Sequence, residues 1–322
     1  MRSRRARAVA LSVGLLLVGA WPLPPLPPPD RRGQNALPSE AALFERGSFR
    51  RERSHETPST IRIVSYNIHL GKRLQRVLEL FRTHPELSRA DVIALQEVVR
   101  ERQLSHARLL AERLGFDYVY LPGKRKGGRE IGLALLSRYP LLEVERLVLP
   151  QQRRAHDLPR IALGATVEIG TVHLRIYNLH VQALVPVELK VKQVEAALER
   201  ALQHPTPCRL LLGDLNTLTR GDRRALDRRL REAGFVPALP ESPWTYRRFF
   251  IRMTLDAIYV QNLQVLNAGV AHDAVASDHR PVWADVLLRA CAQPDEPKRR
   301  ASAIPSAHSP PSFDLPPPLP LR

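Results

Sequence analysis

Acids, amides and histidines recur at the edges of apolar runs in this sequence, and any chemistry must be built from them. Asn67 ends RIVSYN, Glu97 follows DVIALQ, His180 ends VHLRIYNLH, and Asp214 and Asn216 follow RLLLG. Asp256 opens DAIYV, and Asp278-His279 stands just before PVWADV. Side chains of these types do two kinds of work. Carboxylate and amide oxygens suit hard cations such as Mg²⁺ or Mn²⁺, and a histidine oriented by a carboxylate moves protons. Any one of these residues alone is more simply a solvated turn residue; their recurrence at strand edges is what points to a site.

Those edges require elements to hold them. Residues 62–68 alternate as a strand, and Leu74, Val77, Leu78 and Phe81 follow at helical spacing. Residues 91–96 have the short apolar run of a buried strand, and Leu104, Ala107, Ala111 and Leu114 mark another helix. Residues 132–137 read as a strand, and 161–169 with 172–179 as a strand pair joined at Gly170-Thr171. Val191, Val194, Leu198 and Ala201 mark a third helix; residues 209–213, 255–260 and 281–288 complete the strands. Strands that alternate with helices and with strand-turn-strand pairs specify a mixed α/β (α+β) domain of sheets covered by helices.

The chain has 322 residues, 44% of them hydrophobic, and 49 Lys+Arg against 32 Asp+Glu for a net charge of +17. Most of that excess lies between residues 60 and 289, and a surface so charged attracts phosphate-rich partners. The basic residues are nearly all Arg, so compositional bias is an equal account and the charge is supporting evidence only. Cys208 and Cys291 fit neither a zinc cluster nor a C-x-x-C redox pair. One disulfide in an oxidising compartment is open to them, but two separate thiols are expected.

Arg2, Arg4, Arg5 and Arg7 precede the apolar stretch 8–21, and Val18-Gly19-Ala20 offers small residues for cleavage. This reads as a signal peptide over 1–20 and an extracytoplasmic (periplasmic or secreted) protein. An uncleaved membrane tether through residues 8–21 is the alternative. Residues 21–59, rich in Pro and Arg, read as a linker, 60–290 as the catalytic domain, and 291–322 as a Pro-rich disordered tail.

The set Tyr66-Asn67-Ile68-His69, Leu95-Gln96-Glu97-Val98, Asn178-Leu179-His180, Gly213-Asp214-Leu215-Asn216-Thr217, Leu255-Asp256-Ala257-Ile258 and Ser277-Asp278-His279-Arg280-Pro281-Val282 resembles the endonuclease/exonuclease/phosphatase, or DNase I-like, superfamily. Gly132-Leu133-Ala134-Leu135-Leu136-Ser137-Arg138 belongs to the same set, and the resemblance runs over about residues 60–289. It implies a four-layer α/β/β/α sandwich of two mixed sheets flanked by helices, and hydrolysis of phosphoric esters with Mg²⁺ or Mn²⁺. In a phosphodiester, charge develops on phosphoryl and leaving oxygens while a water attacks in line. The resemblance makes Glu97 and Asn67 metal ligands, with Asp278 reaching the metal directly or through water. His279 is the expected base or proton manager, oriented by Asp256. Asp214 would position or activate the attacking water, Asn216 would hold a phosphoryl oxygen, and Arg160 would contact phosphate. His180 would donate to a non-bridging oxygen or to the leaving group; its counterpart in abasic-site repair enzymes is Asn, which disfavours that role. His69 stands where repair enzymes carry a second metal-linked acid.

Trp244, Tyr246, Phe249 and Phe250 interleave with Arg247, Arg248 and Arg252; core contacts of a loop are expected, with base stacking or a lipid surface as alternatives. Lys124, Arg125, Lys126 and Arg129, broken by Gly127-Gly128, read as a mobile, solvated basic loop, with a phosphate-contacting role as the alternative. The expected function is an extracytoplasmic nuclease, monomeric, with nucleic acid as substrate. A lipid phosphodiesterase or phosphatase acting on phospholipid head groups is the alternative, weakened by the lack of a long apolar hairpin, and a non-catalytic scaffold ranks last.

Overall fold

In the computed structural model of the chain, the described residues are 43–50, 57–126, 128–150, 160–241 and 243–291. The expected signal peptide, the tether at 8–21, most of the linker and the tail beyond Cys291 lie outside them. Eight strands form one sheet: β1 (Glu45–Ser48), β2 (Thr60–Asn67), β3 (Val92–Glu101), β4 (Leu104–Ser105), β5 (Asp117–Lys126), β6 (Arg129–Ser137), β15 (Gln264–Val270) and β16 (Val282–Leu287). Six form a second: β7 (Leu141–Val148), β8 (Ile161–Ile169), β9 (Val172–His180), β10 (Arg209–Asp214), β11 (Val236–Pro237) and β14 (Asp256–Gln261). A separate hairpin is made of β12 (Tyr246–Arg248) and β13 (Ile251–Met253). The helices are α1 (Leu74–Thr83), α2 (His106–Leu114), α3 (Val187–Gln203) and α4 (Arg220–Glu232).

The layering follows from side-chain alternation. In β2, Ile61 and Ile63 join a core shared with Leu163, Leu174, Ile176, Leu210 and Leu212 of the second sheet. Val64 and Tyr66 turn the other way, onto Val77, Leu80 and Phe81 of α1 and Ala107, Leu110 and Ala111 of α2. Leu211 likewise faces away from the shared core, onto Val194, Ala197 and Leu198 of α3 and Leu226 and Leu230 of α4. Strands buried on both faces read as unbroken apolar runs, as VIAL of β3 and LLL of β10 do. The result is the expected helix–sheet–sheet–helix sandwich, with two mixed sheets face to face. Among the described residues, no helix is long and apolar enough to cross a membrane.

Several expectations are corrected. Glu45–Ser48, inside the expected linker, pairs antiparallel with β5. The expected basic loop is strand nearly to its tip: Lys124 pairs with Ile131, Arg125 with Glu130 and Lys126 with Arg129. The aromatic–arginine segment is split: Trp244 and Tyr246 are half-buried against His272 and His279, whereas Phe249 and Phe250 at the hairpin turn are 80% and 91% exposed.

Cys208 and Cys291 are bonded to each other across 83 residues, with Cα atoms 5.6 Å apart. Two separate thiols were expected, because sequence spacing carries no information on whether two cysteines meet. They meet because Cys208 enters β10 of one sheet while the chain leaves β16 of the other toward Cys291, and both sulfurs lie against the Asn262 carbonyl in the β14–β15 turn. The bond therefore staples sheet to sheet. Replacing both cysteines by serine is expected to lower unfolding free energy by ~2–5 kcal/mol, and reduction of the native protein to do the same. Denaturant melts with and without reductant check this, and coincident curves would disprove it.

Candidate active site

The site begins with a rung of the second sheet. Parallel pairing sets Asp214 of β10 opposite His180 of β9, and antiparallel pairing sets the same Asp214 opposite Asp256 of β14. Residues directly opposite share a face, so one register brings three sequence-distant polar groups side by side. Gly213 makes the rung attainable. Its φ is +134°, and a Cβ there would stand 2.0 Å from the Leu179 carbonyl oxygen.

Asp214 is 2% exposed and sits at the centre. Its Oδ1 accepts from the Asn216 backbone N–H at 3.0 Å and its Oδ2 from Asn67 Nδ2 at 3.0 Å. His180 Nε2 stands 3.5 Å and His279 Nε2 3.8 Å from the same Oδ2. Asn216 adopts φ +49°, donates Nδ2–H to the Val181 carbonyl at 2.9 Å, and has its own carbonyl held by buried Lys190 at 2.8 Å. One amide hydrogen of Asn216 thus remains for a ligand.

His279 is held from both sides. Its Nδ1 donates to Asp256 Oδ2 at 2.8 Å, and the Tyr246 ring meets it edge to face with centroids 5.0 Å apart. The Thr245 hydroxyl donates to Asp256 Oδ2 at 2.7 Å and accepts the backbone N–H groups of Leu255 and Asp256. Ser277 Oγ donates to the Asn67 carbonyl at 2.8 Å and accepts the His279 N–H at 3.1 Å, tying this loop to the end of β2. Thr245 and Lys190 are positioning residues that sequence reasoning missed, because isolated Thr and Lys carry no signal of their own, whereas Ser277 was legible as part of the Ser277-Asp278-His279 motif. Gln96 and Asn178 were legible only as parts of motifs. They join across the sheets at 2.7 Å, and Asn178 also donates to the Leu95 and Ala134 carbonyls, pinning the layers beneath the site.

Glu97 does not end its strand; β3 runs on to Glu101. It occupies a bulge between Leu95 and Val98 at φ +56°, and bulges of this kind re-aim a side chain. Its half-buried carboxylate has no hydrogen-bond or ion-pair partner among the described residues. Asn67 lies on the neighbouring strand, paired with Gln96, and its Oδ1 accepts the His69 N–H at 3.0 Å. Asp278 Oδ1 lies 3.1 Å from His69 Nδ1, and Lys72 Nζ is 2.6 Å from His69 Nε2. An ammonium can only donate, so Nδ1 carries the His69 proton and gives it to Asp278. Arg160 lies immediately before β8, close enough for its charge to act on His180.

Among the described residues, Asp214, Asp256 and His279 form a buried group whose ligand atoms lie within 4.8 Å of one another, a spacing that could hold a metal ion. It differs from the expected ligand set of Glu97, Asn67 and Asp278, and it borders that set through the Asn67–Asp214 hydrogen bond.

Charge separates the two histidines. Burial alone would lower the His279 pKa, but the Asp256 and then the Asp214 carboxylates override it and raise it to about 10. His180 goes the other way, well below the ordinary value, through burial first and then the charges of Arg160, His279 and Lys124. Burial, reinforced by Asp256 and opposed by His279, raises Asp214 to about 7. The rung therefore presents an imidazolium, a neutral imidazole and a carboxyl group near its midpoint in one small volume. Such an arrangement can donate a proton, accept one and hydrogen-bond an anionic oxygen.

The sequence profile of the Endonuclease/Exonuclease/phosphatase family matches residues 64–279, two thirds of the chain and every expected site residue. The chain belongs to this family. Solved structures agree on the fold. An endonuclease/exonuclease/phosphatase from Beutenbergia cavernae superposes with TM-score 0.57 at 19% identity, covering 71% of this chain and 72% of that one. ANGEL2, a 2',3'-cyclic phosphatase, gives 0.58 at 14% identity, covering 70% and 95%. D. rerio TDP2 complexed with single strand DNA product gives 0.54 at 16%, covering 71% and 99%. No curated protein sequence matches this family member.

The histidine assignments carry a pH test. NMR of ring-labelled histidines should show His279 titrating near pH 10 and His180 titrating well below the ordinary imidazole value. Asp256→Asn should move the His279 midpoint down by roughly one to three pH units, the usual effect of one adjacent opposite charge. Because the folded value lies above the unfolded imidazole value of about 6.5, His279 contributes stability fully below that pH. The contribution is lost as pH rises through 10. A His279 midpoint near 6.5 in the native protein would contradict the geometry.

Proposed function

We infer that this chain is a divalent-metal-dependent phosphodiesterase, acting outside the cytoplasm on nucleic acid. The observation that carries the reaction class is the Asp256–His279–Asp214 line with His180 on the same rung. Neutral His180 is suited to donate to a non-bridging phosphoryl oxygen, and the free amide hydrogen of Asn216 to a second. Asp214, with its pKa raised to about 7, is matched to take a proton from an attacking water. His279, held charged by Asp256, is a resting proton donor and a stabiliser of negative charge on the phosphoryl group rather than a free base. Arg160 adds positive charge beside His180.

The donors fit a hard divalent cation. The Glu97 carboxylate has no protein partner among the described residues, while Asn67 and Asp278 are each oriented by His69. Such an ion, Mg²⁺ or Mn²⁺, would neutralise charge on the phosphate and steady the leaving oxygen.

Two further observations support the finer parts. A buried disulfide suits an oxidising compartment, in line with the basic-then-apolar N-terminus. The fold shared with TDP2, a structure of which holds a single-strand DNA product, supports a nucleic-acid substrate. A lipid head group is the second reading, favoured by the exposure of Phe249 and Phe250.

Purified protein should cleave single-stranded DNA or RNA with Mg²⁺ or Mn²⁺ and stop when chelator is added; activity surviving chelation removes the metal from the mechanism. His279→Ala should cut kcat by ~10²–10⁴-fold, and a normal rate would remove His279 from its role. Hydrolysis confined to sphingomyelin or phosphoinositides in the same panel would replace the nucleic-acid assignment.

A further inference from the structure

A groove of about 420 Å³ opens beside the catalytic loop, lined in part by Lys72, Arg73, Arg247, Arg280, Phe249 and Asp278. Pockets of ~300–1,000 Å³ are the usual size for a small-molecule ligand, so a nucleotide fits. The groove's cations are gathered without acid partners. Arg62, Arg100 and Arg175 elsewhere carry carboxylates, with Asp285 at 2.6 Å, Glu130 at 2.6 Å and Glu145 at 2.5 Å, whereas Arg209 is held by carbonyl and amide oxygens. The groove cations have no carboxylate within ion-pair distance among the described residues. Lys72 meets the His69 ring, Arg73 donates to the Val275 carbonyl, and Arg247 to the Phe249 carbonyl. Arg280 is only 5% exposed and spends its donors on the carbonyls of His272, Ser277 and His279. Carbonyl oxygens satisfy its hydrogen bonds but leave its charge unneutralised.

Four cations gathered around one acid make a seat for an anion. Its position is set by the hairpin. The Arg247 N–H donates to the Asp278 carbonyl at 2.8 Å and the Arg280 N–H to the Thr245 carbonyl, so β12 is stitched to the catalytic loop. Phe249, at φ +52° and 80% exposed, stands at the far rim with its ring in solvent. A left-handed backbone at an aromatic residue is uncommon, and here it turns the chain at the hairpin's tip.

We propose that this groove is a second phosphate subsite, which seats the non-scissile phosphate next to the reacting one in a single-stranded polynucleotide while Phe249 stacks its base. The proposal rests on the nuclease reading above and names where the flanking nucleotide goes. An aromatic face beside a cationic track is what single strands require, because every base offers a π-face and every linkage a charge. A bilayer would engage the apolar tip but has no use for a cationic groove lined back to Asp278.

The experiment measures binding of a fluorescent dodecathymidylate to the full chain in chelator, as a function of salt, alongside Mg²⁺-dependent hydrolysis of the same oligonucleotide and of bis(p-nitrophenyl) phosphate. Arg73, Arg247 and Phe249 are exposed, so Arg73→Ser, Arg247→Ser and Phe249→Ser should fold normally. Each Arg replacement is expected to weaken binding and to reduce the slope of log K against log salt by ~0.7, the value for one phosphate contact on a single strand. Phe249→Ser is expected to weaken binding ~5-fold or more with the slope kept, as loss of one base stack does. In all three, kcat/KM for the oligonucleotide should fall further than for the aryl diester.

Wild-type cleavage of the oligonucleotide, with affinity and slope unmoved in the variants, overturns the subsite and leaves the nuclease reading intact. A wild type that hydrolyses the aryl diester but neither binds nor cleaves the oligonucleotide overturns the nuclease reading itself. Phosphatidylserine–phosphatidylcholine vesicles are the second probe. If Arg247→Ser and Phe249→Ser abolish vesicle binding and spare the oligonucleotide, the surface belongs to a lipid and the proposal is wrong.

Discussion

A carboxylate buried where two sheets meet is the constraint from which the rest of the site follows. Asp214, at 2% exposure, cannot be left to water, and an unpaired buried charge would be prohibitively costly. Its donors come from separate parts of the chain: the end of β2 through Asn67, its own turn through Asn216, and the loop before β16 through the charge of His279. Satisfying one acid therefore forces the edges of both sheets and the catalytic loop into contact. The Gln96–Asn178 bridge beneath it and the Cys208–Cys291 staple at the other end of β10 hold that alignment. The shared core between the sheets supplies the non-directional part of the stability, and these polar and covalent ties supply the register.

Much of this was legible in the sequence, and what was hidden has physical reasons. Runs such as VIAL and RLLLG announce strands because burial on both faces removes polar interruptions, and RIVSYNI announces one by alternation. The helices that follow β2 and β9 announce themselves through apolar residues at helical spacing. Helix α4 does not, because RGDRRALDRRLRE buries only Leu226 and Leu230 and its arginines mask the period. The hairpin of β12 and β13 has no alternating apolar face to read. Polar residue types at strand edges were visible as a set, but their pairing depends on register between strands far apart in sequence. The bulge that turns Glu97 out of the ladder left no trace in LQEVV, and the disulfide could not be inferred from a separation of 83 residues.

The arginines show the same division between what composition says and what contacts decide. A net charge of +17 says only that phosphate-rich partners are attracted from a distance. Arg62, lodged between Asp285 and Glu86 with its guanidinium over the Trp283 ring, is a structural element neutralised at home. Arg200 and Arg229 pair on the surface with Glu145 and Glu195, where such pairs contribute little stability. Only where carboxylates are withheld, as around Asp278, does positive charge stay available to a ligand.

The two histidines complete that logic at closer range. His180 and His279 stand 3.5 Å and 3.8 Å from one carboxylate oxygen, yet they are driven to opposite protonation states. The difference is Asp256, which hydrogen-bonds His279 and is kept in place by Thr245, whereas His180 faces Arg160 and Lys124 and already feels the charge on His279. Two imidazoles of the same charge would repel each other there, and two neutral ones would leave the buried acids uncompensated. One charged and one neutral ring is the arrangement that satisfies both demands, and it leaves the site with a donor and an uncharged hydrogen-bonding partner ready before any substrate arrives.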